Sequence, residues 1–328
     1  MMATVLCSRF RGEVAAEFPM KMRAISRRGP IQKKWSVLGL IAAASWCWAI
    51  PLAAEEAAPG VEADAQSRFT ASSNLAASGG RVSQWSNSID LSAPVAGSSA
   101  YGLGLDLIAE RLEFHFSDFS GFLPGRSPPL SGASVITLQP TVALTPSRSW
   151  SLIESALVQH AGADGARSGD ATLWGGSVAA AYQYAANLKI GLGFEVLQRM
   201  NASALFVPFP IIDWRISDRW SLLSVDGETG RLSFAFTRTL SGFGQLEFQS
   251  QDIRLGRSAS IPSGIMRYEA YPLSLGIQWK PRPRLTASLS AGEAVAQKYR
   301  FEDGGGRLLR SSATHAPLIG ALEIDCSF

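Results

Sequence analysis

Within the stretch LFVPFPIIDWRISDRWSLL (205–223), residues 212–216 alternate apolar and charged side chains with the period of a β-strand. Ile212 and Trp214 share one face of this strand, whereas Asp213 and Arg215 share the other. A soluble protein would bury the apolar face. A transmembrane β-barrel would turn that face to lipid and keep the charges in its lumen. The rest of the chain has to decide between these two folds.

The turn after this strand fixes how it pairs with the next one. Ser217–Arg219 reads as a turn, after which the alternation resumes. A three-residue loop places Ile216 opposite Trp220 and Trp214 opposite Leu222, all on one face. A two-residue loop would set an apolar residue against a charged one. Since matched faces fix strand register, the sequence predicts the longer loop.

The beginning of the chain has the three parts of a secretory signal peptide. Arg23–Lys34 is basic, Trp35–Leu52 is apolar, and Ala53 and Ala54 are the small residues of a cleavage site. The alternative is a membrane anchor, but the apolar run is short for a spanning helix and an acidic segment comes directly after it. We predict a cleaved signal over residues 1–54. A start at Met20 or Met22 would give a basic region of more ordinary length.

Charge and cysteine content narrow the function further. Eight lysines and arginines and two glutamates precede Glu55, so the leader has a net charge of about +6. Because the whole chain has a net charge of +3, the chain after the leader has a net charge near −3. A chain that is slightly acidic after its leader has no basic surface for nucleic acid. Cys7 and Cys47 lie in the leader, and Cys326 alone lies beyond it. The sequence therefore predicts no intramolecular disulfide, no cysteine-based metal site and no cofactor.

After the leader the chain reads as short strands, and no long apolar helix interrupts them. We predict fourteen candidate strands, of which the first two are weak because they are rich in Ser and Ala. We therefore expect an all-β, antiparallel up-and-down barrel of about 12 strands (10–14) over 81–328, with 55–80 as a mature N-terminal segment. The candidates are 69–77, 82–94, 101–116, 134–145, 150–160, 172–185, 188–198, 205–216, 220–225, 231–240, 243–253, 264–279, 285–298 and 317–328.

Short and long connections alternate between these strands, which favours a transmembrane barrel over a sandwich with Greek-key connections. The tight turns are predicted at 146–148, 186–187, 217–219, 241–242 and 281–283. The longer loops are predicted at 117–132, 161–170, 199–204, 226–230, 254–263 and 299–314.

The strand faces carry the candidate site. In the strand 101–116 the apolar residues move from odd positions to even ones, and a bulge near Ala109 would explain this change of phase. The charges assigned to the lumen have both signs. They either pair across strands or line a water-filled pore, and we expect a narrow or partly occluded lumen. These residues are Asp106, Glu113, Lys189, Glu195, Asp213, Arg215, Arg231, Glu247, Glu323 and Asp325.

The last strand ends in a pattern that indicates outer-membrane insertion. Leu322, Ile324, Cys326 and the terminal Phe328 are apolar at alternate positions. A final strand that ends in phenylalanine resembles the signal that the outer-membrane assembly machinery reads. We therefore expect that machinery and outer-membrane lipid as partners, and a location in a bacterial outer membrane.

Two runs and the chain end carry a family resemblance. PFPIIDWRISDRWSL (208–222), YPLSLGIQWKPRPRLTASLSAGEA (271–294) and Phe328 resemble an uncharacterised family of bacterial outer-membrane β-barrel proteins. The resemblance implies the fold and the location. It implies no activity and no catalytic residues.

Catalytic patterns are weak in this sequence. His115 lies close to Ser117 and Asp118, but a triad is defined by geometry, and one adjacent cluster on a strand does not supply it. His160 and His315 lie in predicted polar loops. We predict a non-enzymatic barrel, either a small-solute channel or a structural protein. The alternatives are an outer-membrane lipid or peptide hydrolase and a secreted soluble β protein.

Overall fold

The computed structural model describes residues 60–75, 80–98, 100–123, 125–224 and 228–328. The predicted signal peptide, its cleavage site after Ala54 and the alternative starts at Met20 and Met22 lie outside the described residues. In the ranges that are described, no helix is long and apolar enough to cross a membrane.

Within these ranges sixteen strands form one sheet, in which neighbouring strands along the wall run antiparallel. One α-helical turn, α1, covers Phe119–Phe122, and one 3-10 turn covers Ser168–Asp170. The strands are β1 (Glu62–Asn74), β2 (Arg81–Gly97), β3 (Tyr101–Ser117), β4 (Gly132–Leu144), β5 (Trp150–Ala163), β6 (Thr172–Ala185), β7 (Leu188–Arg199), β8 (Ala202–Arg215), β9 (Trp220–Ser224), β10 (Thr229–Ala235), β11 (Leu240–Glu247), β12 (Gln249–Arg254), β13 (Ile265–Arg282), β14 (Leu285–Glu302), β15 (Leu308–Ala313) and β16 (Leu318–Ser327).

The sheet closes on itself. β1 pairs with β2 on one side and with β16 on the other, from Glu62 opposite Ser327 to Thr70 opposite Ile319. At the seam, the amide of Phe328 donates to the carbonyl of Val61. β12 continues β11, because both pair with β13, and β15 continues β16, because both pair with β14. The described residues therefore form a closed barrel of fourteen strands with two extensions.

This count corrects the expectation of about 12 strands. β1 and β2 are the two Ser- and Ala-rich candidates, and both are full members of the wall. The barrel also begins at Glu62, inside the expected N-terminal segment 55–80. Strand propensity is a weak guide here because the neighbouring strands supply hydrogen bonds on both sides of β1.

Most connections sort to the two ends of the barrel by length. One end, which we call the turn end, carries all but one of the tight connections and the two ends of the seam, near Glu62 and Ser327. The other, the loop end, carries 118–131, 164–171 and 255–264. Three predicted connections are wrong. Residues 241–242 lie inside β11, and the chain turns at 236–239, where Phe236 donates to the carbonyl of Leu240. The loop predicted at 199–204 is a two-residue turn, 200–201, and the loop predicted at 299–314 contains the end of β14 and all of β15.

The register predicted for the β8–β9 hairpin is confirmed. Trp214 lies opposite Leu222, and Asp213 lies opposite Leu223. The amide of Ser217 donates to the carbonyl of Trp220, which closes the turn outside both strands. The apolar residues of this hairpin therefore share one face, as the sequence requires.

β3 contains no bulge near Ala109. Its register with β2 and β4 is continuous through that residue. The change of phase has another cause. Asp106 and Phe114 both point into the barrel, but towards the turn end the interior is polar and towards the loop end it is apolar. Glu113, which we expected in the lumen, therefore lies exposed on the outside face.

An apolar plug fills the loop end of the barrel. α1 folds inward, and the rings of Phe119 and Phe122 lie 5.7 and 5.5 Å from the ring of Phe301. Phe116 is 5.3 Å from Phe119. Ile253, from β12, is fully buried in the same cluster. Packed aromatic and aliphatic groups exclude water, so the barrel has no open axial path through this cluster.

Towards the turn end, aromatic rings lie flat on inward-facing glycines. A Cβ atom added to Gly193 would meet the ring of Phe209 at 2.2 Å, and one added to Gly276 would meet the ring of Phe243 at 2.3 Å. Phe209 is buried against Ala179 and Ala181. These rings reduce the width of the lumen where the side chains of β6 and β7 are small.

We expect Gly193→Val to destabilise the barrel by about 1–3 kcal/mol, because its methyl groups require Phe209 to leave its site. Gly102→Ala is the matched control, since nothing lies within 4 Å of an added Cβ there. Urea unfolding in lipid vesicles measures both changes. Equal stability of the two variants would contradict the packing of Phe209 on Gly193.

Candidate functional site

The barrel interior towards the turn end is lined by charged and polar side chains. Among the ten residues assigned to the lumen from the sequence, Glu113 lies outside. The other nine lie on the inside face of the wall, as their alternation with exposed apolar neighbours shows: Asp106, Lys189, Glu195, Asp213, Arg215, Arg231, Glu247, Glu323 and Asp325.

One side of this interior is strongly acidic. Asp64 lies directly between Asp90 of β2 and Asp325 of β16 in the strand register. Glu323 is two residues along β16 on the same face. Asp106 accepts a hydrogen bond of 2.5 Å from the hydroxyl of Ser92. We call these five carboxylates the acidic wall. Like charges placed side by side repel each other, so this arrangement is costly for the fold.

An ion pair crosses the lumen above the acidic wall. Arg68 of β1 reaches Glu247 of β11, and their closest nitrogen and oxygen atoms are 2.9 Å apart. Both side chains are largely buried, with 11% and 13% exposure. Glu247 also accepts hydrogen bonds from the amide groups of Gln245 and Gln249. Three barrel strands, β13, β14 and β16, separate β11 from β1 along the wall. The pair is therefore a bridge across the interior.

The Arg68–Glu247 pair divides the lumen. Between the pair and the wall formed by β13, β14 and β16 lies only a small space. Arg231 approaches the bridge from β10, and its guanidinium lies 3.7 Å from the ring centroid of Phe243. The passage at this level is narrow, and its lining is charged on one side and aromatic on the other.

Sequence reasoning missed Arg68, Asp64 and Asp90. All three lie in β1 and β2, where Ser and Ala concealed the strands. The alternation was nevertheless present: Asp64, Gln66 and Arg68 are polar at every second position. A search for polar rather than apolar alternation would have found this inside face.

The loop end is held together by polar contacts between loops. Arg126 donates to the carbonyl of Ser260, and Ser260 donates to the carbonyl of Ser127. On the outside face, Arg111 donates twice to the carboxylate of Asp164, with both distances 2.9 Å. The hydrogen bond from Arg111 lowers the pKa of the Asp164 carboxyl below its ordinary value, against the raising effect of partial burial.

The residues considered for catalysis are not brought together. His115 lies exposed on the outside face of β3, opposite Ser83. Asp118 begins α1 with a left-handed backbone, and no hydrogen bond joins it to His115 among the described residues. No group of three or more His, Cys, Asp and Glu side chains in the described part of the chain is arranged to hold a metal ion.

The chain end lies in the wall. Leu322 is exposed on the outside face, and Ile324 shares that face. Cys326 is buried opposite Ala63 and Leu285. Phe328 comes directly after β16 and joins the seam through its backbone. Leu322 and Ile324 of the expected assembly signal therefore lie together on the outside of the barrel, and Phe328 extends the strand beside Val61.

Comparison with known proteins gives structural likeness only. No protein-family model matches the chain, and no curated protein matches it. Among solved structures, an outer membrane channel from Pseudomonas putida F1 is 9% identical, covers 85% of this chain and 99% of its own, and has a TM-score of 0.45. The toluene transporter TodX of P. putida is 9% identical, with coverages of 85% and 93% and a TM-score of 0.42.

The NanC porin is also 9% identical, covers 81% of this chain and all of its own, and has a TM-score of 0.36. Identities of about a tenth and TM-scores below 0.5 assign this chain to no family. The function therefore has to be inferred from the geometry of this chain alone.

We expect Arg68→Ala to cost about 3–5 kcal/mol, because Glu247 would stay buried without its counter-ion. The double variant Arg68→Met, Glu247→Leu should recover most of this loss, since it removes both charges. Unfolding midpoints in vesicles measure both. If the single variant is as stable as the unmodified protein, the bridge across the lumen does not hold in lipid.

Proposed function

We propose that this protein is a non-enzymatic bacterial outer-membrane β-barrel of the small-solute channel class, with a narrow lumen that the apolar plug occludes at the loop end. The observation that carries the proposal is the reversal of polarity along the wall. Towards the turn end the outside is apolar and the inside is charged, whereas the loop end is sealed by the apolar plug. A soluble sandwich has no reason to expose an apolar outside face around a charged interior.

The exposed aromatic residues support this placement. Trp214 and Phe206 lie on the outside of β8, eight residues apart, and Trp279 and Tyr271 lie at the same separation on β13. A strand of about 9–11 residues crosses a bilayer, and aromatic side chains concentrate at its two interfaces. Between the two aromatic levels the outside of β13 presents Leu273, Leu275 and Ile277, all exposed.

The orientation and the partners belong to the same proposal. The turn end faces the periplasm and the loop end faces outward, because short turns lie on the periplasmic side of such barrels. The leader directs export and is removed near Ala54. The final strand, with Leu322, Ile324 and Phe328, is the segment that the assembly machinery binds. Outer-membrane lipid surrounds the apolar band.

A labelling experiment tests the orientation of the wall. In a cysteine-free background, Ile212→Cys should react with membrane-soluble maleimides, and Asp213→Cys should react with aqueous ones. The two positions are neighbours on β8 and differ only in the face they occupy. Identical reactivity at both positions would show that this wall does not separate lipid from water.

Planar-bilayer recording tests whether ions pass through the barrel. The intact protein should conduct far less than an open barrel of fourteen strands, because the plug seals the loop end. Replacing Phe119 and Phe122 together by Ala should raise the conductance, since both rings are almost fully buried in the plug. The acidic wall should make the current cation-selective.

Arg111→Gln is the matched control, because it alters the loop end outside the plug. A large steady conductance of the intact protein would contradict a sealed loop end. If the plug variant folds normally but conducts no better than the intact protein, the protein is a structural barrel and not a channel.

A further inference from the structure

The turn end of the barrel carries a cluster of arginines on one side. The β13–β14 turn lies in the sequence KPRPR (280–284), in which Arg282 and Arg284 are both exposed. Arg238 is exposed in the β10–β11 turn. We call Arg238, Arg282 and Arg284 the basic rim. Because the chain after the leader has a net charge near −3, this concentration of positive charge is local.

Backbone contacts place these two turns side by side. The amide of Lys280 donates to the carbonyl of Thr239 at 2.8 Å, which continues the register between β11 and β13. Arg238 therefore lies opposite Pro281, within the KPRPR segment. Pro281 and Pro283 each fix one backbone angle, so the turn presents its arginines on a stiff backbone.

Arg282 points to the outside of the wall. It lies opposite Leu285, and residues that are paired across two strands share a face. Leu285 belongs to the same alternating row of β14 as Leu289, which is 57% exposed. Asp325, by contrast, lies on the lumen side, where Lys280 interacts with it. The rim therefore brings positive charge to the lipid side of the turn end.

Large apolar side chains cover the wall directly beside the basic rim. Trp279 is 52% exposed and Phe236 is 54% exposed. The ring of Phe236 lies against the outside of β11, since a Cβ atom added to Gly242 would meet it at 2.9 Å. Further from the rim, the exposed side chains of Leu275 and Ile277 continue the apolar surface. The outside of β10, β11 and β13 thus changes from aliphatic to aromatic to basic towards the turn end.

A phospholipid has the same order of groups. Its acyl chains are apolar, its glycerol region lies at the membrane interface, where aromatic rings concentrate, and its phosphate lies beyond that level. A guanidinium group donates two parallel hydrogen bonds to a phosphate. Clustered basic residues at a bilayer surface attract anionic lipids in particular, because a zwitterionic headgroup adds a positive charge of its own.

We propose that the basic rim binds the phosphate groups of anionic phospholipids in the periplasmic leaflet of the outer membrane. The inference rests on the proposed location and orientation of the barrel, and it adds a lipid-binding surface to the proposed channel function. The β6–β7 turn, 186–187, is Ala-Asn and carries no charge. Anionic lipid is therefore enriched beside β10, β11 and β13 and not around the whole barrel.

Lipid quenching measures which lipids lie beside the rim. The fluorophore NBD is attached to Leu240→Cys in a cysteine-free background, in phosphatidylcholine nanodiscs. The discs contain the same small fraction of doxyl-labelled phosphatidylglycerol or of doxyl-labelled phosphatidylcholine. Ile190→Cys, beside the uncharged 186–187 turn, is the matched control, with 42% exposure against 37% at Leu240. We expect phosphatidylglycerol to quench about threefold more strongly than phosphatidylcholine at 240, and both lipids to quench equally at 190.

The combined variant Arg238→Gln, Arg282→Gln, Arg284→Gln should bring the ratio of the two quenching strengths at 240 close to one, because the three guanidinium groups supply the attraction. Arg148→Gln, in the β4–β5 turn, is the control and should leave the ratio unchanged. Heat-modifiable migration confirms that each variant is folded. Equal quenching by the two lipids at 240 in otherwise unmodified protein, or a ratio that survives the combined variant, would overturn the proposal.

The remaining outcomes separate this proposal from its alternatives. If the two lipids quench equally at 240 and the protein sediments with purified peptidoglycan only when the three arginines are present, the rim binds the cell wall and the lipid proposal is overturned. Protein that does not enter nanodiscs as a folded barrel would contradict the membrane location. Folded, inserted protein with equal quenching at 240 would contradict lipid binding by the basic rim alone.

Discussion

A strand in lipid must satisfy its backbone hydrogen bonds with other strands, and the rest of this structure depends on that constraint. The wall meets it by closing β1 on β16, down to the backbone of Val61 and Phe328. A closed wall then fixes an inside and an outside for every residue. The charged interior, the apolar band on the outside, and the packing of Phe209 on Gly193 and of Phe243 on Gly276 all depend on this closure.

Among the described residues, the part of β8 at 202–211 pairs with β7 alone. An unpaired edge leaves donors and acceptors exposed, and in hydrocarbon each one is costly. Pro208 and Pro210 lower this cost by removing donors, and the hydroxyl of Ser224 lies 3.5 Å from the carbonyl of Pro210.

Local pattern predicted what depends on near neighbours. The β8–β9 register could be predicted from Trp214 and Leu222, and the order of strands from turn residues. The change of phase in β3 was visible, but its cause was not, because α1 and Phe301 approach β3 from distant parts of the chain. Arg68 and Glu247 are 179 residues apart, and nothing in either strand indicates that they meet. Glu113 was misplaced because alternation alone does not show where a strand leaves the membrane.

The seam has a consequence for the order of folding. It joins the first described strand of the chain to the last, over more than two hundred residues, so no partial chain contains both of its edges. Contacts of such long range form slowly, since the intervening chain must be ordered before they do. Until β16 arrives, β1 has an exposed edge that favours pairing between different molecules. A chain whose sheet stays open for longer therefore has more time to pair with another molecule, however stable the closed barrel is.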